Sequence, residues 1–221
     1  IGSVNAVGST GLGDVTLVTT KNSGVIDEAV NDAAVKISGA VVTLTADGNI
    51  GATGDANAYL DVSATTLDVT TTVNDATTAG GIFLSQKTDQ ATILNVDVTD
   101  TTTVGNIFIT SVGDLTVGTV ISGGVTALGN VTLATTKVGG VIDDSTAGDD
   151  TTVDITGDTV TLDSQGNIGA TGDGEELDIS AAILDITTTD NGSGTSGSVF
   201  IQQTGAADTK LTVDTASVTT S

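Results

Sequence analysis

Carboxylates are the one chemically versatile group that this chain carries in quantity. Three clusters set them beside other oxygen donors: Asp47-Gly-Asn49, Asp143–Asp150 and Gly172-Asp-Gly-Glu-Glu176. Hard oxygen ligands gathered in this way suit calcium. None of the three fits a twelve-residue loop closed by Glu, and none repeats the nine-residue Gly-Gly-x-Gly-x-Asp roll. In so acidic a chain they read as solvated turns. No metal ligand is assigned, and a structural calcium ion is the only cofactor left open.

Catalysis has little else to draw on. The chain has no His, Cys or Arg, so a nucleophilic triad, a thiolate or a guanidinium clamp cannot be built. Two carboxylates alone suffice for glycoside hydrolysis, but sugar platforms need aromatic rings, and the chain offers only Tyr59 and no Trp. We assign no catalytic and no cofactor-binding residue and read the chain as a non-enzyme. Lys21 and Lys137 occupy equivalent places in two related segments. A Lys–Asn crosslink there would need a nearby acid in a dry, aromatic-rich core, so both read as solvated. Phe83, Phe108 and Phe200 each follow a glycine in aliphatic strands and read as core or ladder packing. Threonine makes up about a fifth of the chain. Stacked runs, Thr70–Thr72 over Thr187–Thr189, would suit ice or O-linked sugars only if regular on one face, and here Thr shifts position from segment to segment.

The elements that position these residues are set by internal repetition. Gly13-Asp-Val-Thr-Leu-Val-Thr-Thr-Lys21 returns as Gly129-Asn-Val-Thr-Leu-Ala-Thr-Thr-Lys137. Val35–Thr72 returns as Val153–Thr189, and Gly80–Gln86 as Gly197–Gln203. The chain thus divides into a first unit, 1–116, of about five rungs, and a second, incomplete one, 117–221, stacked without a linker. Within each unit apolar residues alternate with Thr, Ser or Asp, as in Val41-Val-Thr-Leu-Thr45 and Leu67-Asp-Val-Thr70. Period two sends the branched aliphatics to one face of a strand. Gly, Asn and Asp mark the turns, and the strand starts recur every 20–26 residues. That spacing predicts an all-β chain folded as a parallel β-helix. Tandem β-sandwiches are the alternative, but they usually bring buried aromatics and Pro-marked turns, and this chain has no Pro.

A net charge of −23, from 28 acids against five Lys, argues against nucleic acid and anionic membranes as partners. It fits a saline, extracellular setting where salt screens self-repulsion. No apolar run approaches the roughly 20 residues that cross a bilayer. The absence of an initial Met and of a signal peptide, with the repeat cut in mid-phase, reads as a window from a longer polypeptide.

The units Gly105-Asn-Ile-Phe-Ile-Thr-Ser111, Gly113-Asp-Leu-Thr-Val117 and Leu128-Gly-Asn-Val-Thr-Leu-Ala-Thr-Thr136 resemble those of the filamentous-haemagglutinin-like exoproteins, giant bacterial adhesins made of tandem β-strand repeats. The resemblance covers essentially the whole chain and implies a right-handed parallel β-helix exported as a fibre. The Asp excess, the lack of Arg and the long unit depart from that family's more regular repeats. A structural stalk of a secreted or cell-surface adhesin is the expected function. The alternatives are a self-assembling extracellular filament, sheath or matrix, and a polysaccharide-binding solenoid. The expected partners are neighbouring repeats of the same chain, further copies in a fibre, and glycans or cell surfaces.

Overall fold

The computed structural model describes residues 1–8, 11–30, 32–54, 58–73, 80–100, 104–124, 127–144, 152–171, 176–190, 197–204 and 212–220. Among them the regular elements are eighteen strands and no helix. The alternation explains the strands. In Val41–Ala46, Val42, Leu44 and Ala46 point inward and are fully buried, while Val41, Thr43 and Thr45 between them are half-exposed. Ile107–Ser111 and Val131–Thr135 follow the same pattern.

Sixteen strands pair into one continuous parallel sheet, and only the short hairpin of Val7–Gly8 with Gly11–Leu12 is antiparallel. Residues one coil apart therefore stack. One ladder runs Leu17, Leu44, Val69, Val96, Val120, Ile155, Ile179 and Gln203. A second runs Ile26, Ile50, Ile82, Ile107, Val131, Val160, Leu184 and Val213. This is the β-solenoid that the strand spacing predicts. A pair of sandwiches would pair its strands antiparallel. The plain coil takes 24 or 25 residues, as from Val96 to Val120 or from Ile82 to Ile107. Longer steps, such as Ile50 to Ile82 and Val120 to Ile155, put 32 and 35 residues between successive ladder positions.

The inward residues form one core of Val, Ile, Leu and Ala from Val15 to Ile186, and no aromatic ring belongs to it. Such burial stabilises by about 25 cal/mol per Å² of apolar surface. Each coil in a solenoid covers the one below, so stability accumulates along the stack.

Repetition in sequence does not mean repetition in position. Val15 heads a ladder through Val42, Leu67, Leu94 and Val117, four coils on. Its counterpart Val131 lies beyond Val117, on another side of the coil, stacked on Ile107. The long unit therefore spans about four and a half coils, and the second copy is rotated about the axis relative to the first. This corrects the expected threonine stack. Thr70–Thr72 lie between Thr45–Ala46 and Asp97–Thr99. Thr187–Thr189 lie over Asp163–Ser164 and beneath Ser217–Thr219.

Replacing Ile109 by Ala, which empties a wholly buried rung position, is expected to cost about 2–5 kcal/mol in urea unfolding. Thr132→Ala, on the outward face of the neighbouring strand, is expected to cost less than about 0.5 kcal/mol.

Candidate functional site

Of the donors that looked like calcium ligands, Asn49 is spent on the backbone of the next coil and Asp47 on a hydroxyl. Asn49 Oδ1 accepts the Gly81 N–H at 2.8 Å, in the next coil. Asn106 accepts Asn130 N–H at 2.9 Å, and Asn167 accepts Ser198 N–H at 2.9 Å. Each lies in a Gly-Asn-Ile turn, so the motif ties one turn to the turn above. Asp47 Oδ1 accepts the Thr72 hydroxyl at 3.0 Å. Asp14 and Asp114 repeat the backbone role, accepting the N–H of Val41 and of Val141. The same economy explains Gly51. It holds φ +74°, and a Cβ there would run into the Phe83 carbonyl; Gly169, at φ +68°, faces the Phe200 carbonyl in the same way. Residues 145–150 of the Asp143–Asp150 cluster and 172–175 of the Gly172–Glu176 cluster lie outside the described residues. Among the described residues no three acids sit together in a way that could hold a metal.

The threonines and aromatics also have structural duties. Thr71 and Thr188 point inward, wholly buried, and donate to the carbonyls of Gly80 and Gly197 at 3.0 and 3.5 Å. A flat hydroxyl array is therefore broken at its centre. Phe83 and Phe108 stack in register on the outside of adjacent coils, and Tyr59 closes on Phe108 with ring centroids 4.8 Å apart. They pack as a ladder and stay outside the core.

The equivalent lysines differ. Lys21 is exposed, whereas Lys137 meets Asp114 at 2.9 Å and Asp89 at 3.8 Å. The hydrogen bond from Lys137 to Asp114 holds its ammonium pKa above the ordinary value. Neither pairs with an Asn.

One charged cluster escaped the sequence reading. Glu28, Lys36 and Asp61 are 7%, 7% and 1% exposed. Lys36 Nζ lies 2.7 Å from Asp32 and Lys87 Nζ lies 3.0 Å from Asp61. The bond to Asp32 raises the Lys36 pKa and lowers that of Asp32. Burial pushes the Glu28 carboxyl up, against the Asp32 N–H and the Lys36 charge, which draw it down. A signal was present in the repeat: Lys36 and Lys87 fall where the second copy has Asp154 and Thr204, while Asp61 keeps its counterpart Asp178. Gln86, fully buried, was missed as well. Its amide donates to the Ala64 carbonyl and to Thr92 Oγ1, and its carbonyl accepts the Ala64 N–H at 3.3 Å, closing a corner between coils.

Compared with family models, with curated proteins and with solved structures, the chain matches none.

If Asn49 is a turn cap, Asn49→Ala is expected to lower stability by about 1 kcal/mol, equally with calcium and with chelator. A calcium-dependent loss would make it a ligand. Glu28 supplies a pH test. Its folded pKa lies above its unfolded value, so the charged form is penalised in the fold. The penalty is absent well below pH 4.5, the ordinary carboxyl value, grows as pH rises from there to the folded pKa, and is constant above it. Urea melts across the acidic range are expected to show wild type losing stability relative to Glu28→Gln as pH increases.

Proposed function

We propose that this chain is a length of stalk or fibre from a large secreted or cell-surface bacterial repeat protein of the adhesin type. The observation that supports it most is the unbroken parallel ladder from Leu17 to Gln203. A rod built in this way gains length and stability with each coil, and the polar side chains of its turns are occupied in tying coil to coil. The likeness of Gly105–Ser111 and Leu128–Thr136 to exoprotein repeats, and a surface charge suited to saline surroundings, support the same reading. Its mechanism is mechanical: the stack holds a binding element at a distance while presenting an anionic, well-hydrated flank. Its partners are the neighbouring repeats of the same chain.

Antibodies raised against the chain are expected to decorate fibres outside intact source cells in immunogold electron microscopy. Label confined to the cell interior would overturn the proposal. Filaments formed by the purified chain alone would shift it to a self-assembling lattice.

A further inference from the structure

Lys87 and Asp61 make an unusual pair. The ammonium nitrogen lies 3.0 Å from Asp61 Oδ1, yet neither carboxylate oxygen of Asp61 has a hydrogen-bond partner. The carboxylate is 1% exposed and the lysine side chain 24%. Taking both charges out of water is costly, and a contact without hydrogen-bond alignment recovers little of that cost. The surface pair Lys137–Asp114 is the contrast: it is hydrogen-bonded at 2.9 Å, with side chains 33% and 25% exposed.

We propose that Lys87 and Asp61 condense into an intramolecular isopeptide bond that staples one coil to the next. The Lys87 nitrogen, once it gives up a proton, attacks Asp61 Cγ. The new C–N bond replaces one C–O bond, and that oxygen leaves as water. Ammonium plus carboxylate become a neutral amide and one water, with no change of oxidation state. Fixing amine and carboxyl in contact supplies effective concentrations on the order of 10⁵ M or more, and the amide leaves no charge to desolvate.

The proton needs a carrier, and Glu28 has the properties of one. It is buried, its Oε2 has no partner, and it is electrostatically coupled to both Asp61 and Lys36. Burial favours its protonated form, so it can give its proton to the departing Asp61 oxygen and, as the carboxylate that remains, take the proton that the Lys87 ammonium sheds. Lys36, bound to Asp32 at 2.7 Å, is held by another carboxylate and keeps its charge. The second copy has Thr204 in place of Lys87, so the bond forms once. It joins strand Leu60–Ser63 to the residue after strand Ile82–Gln86, the kind of staple that a chain without cysteine cannot make by disulfide.

Intact-protein mass spectrometry after prolonged incubation at neutral pH tests this. The chain is expected to weigh one water less than its sequence, and a digest is expected to give a branched peptide joining Lys87 to Asp61. Lys87→Arg, which keeps the cation, is expected to show the full sequence mass. Glu28→Gln is expected to slow bond formation and flatten its pH profile while leaving the strand signature in circular dichroism unchanged. A wild-type chain at full sequence mass, with Lys87 still open to amine acylation after unfolding, would overturn the proposal. So would a branch located at Lys36.

Discussion

Parallel pairing between coils is the constraint on which the rest of this molecule depends. Each strand must find its backbone partners a full coil away in sequence, because no tight hairpin can supply a parallel neighbour. Register is therefore fixed by what the side chains do on the inside. A slip of one residue at Leu44 would turn Val42, Leu44 and Ala46 outward and expose the whole rung. Glycines at the turns and aliphatics in the rungs are consequences of that requirement.

The same constraint decides how the polar residues are used. A turn that must sit on another turn leaves backbone N–H groups facing it, and those donors need acceptors. Asn49, Asn106 and Asn167 meet that need across coils. Gln86 meets it at a corner, with both ends of its amide engaged. These four amides, which have the right chemistry for a ligand, serve instead as joints between coils.

Much of the fold was legible in the sequence because period two is a local property. Val41–Ala46 could be read as a half-buried strand without any neighbour in view. The recurrence of strand starts every 20–26 residues predicts the coil. The rotation between copies was not legible, because an alignment of Val15 with Val131 contains no angle. Nor was the role of Asn49, since an amide oxygen suits a calcium ion and an N–H equally well. The meeting of Lys87 with Asp61 depends on the register that sets Asp61 against Ser85, one 24-residue coil on. Only a register of strands could reveal it, although the loss of both lysines in the second copy was a hint.

The half-coil remainder in the long unit has a consequence for what the surroundings encounter. In the first copy the chain leaves the ladder after Ile26 and Ile50, and rejoins at Ile37 and Leu60. In the second it leaves after Ile142 and Ile168, which belong to a different column, stacked on Leu115. The points where the chain quits its ladder therefore lie on separate flanks in the two copies, like leaf scars set alternately on a stem. A flat surface pressed against one flank meets the departure points of a single copy, and a neighbour on the other flank meets those of its twin.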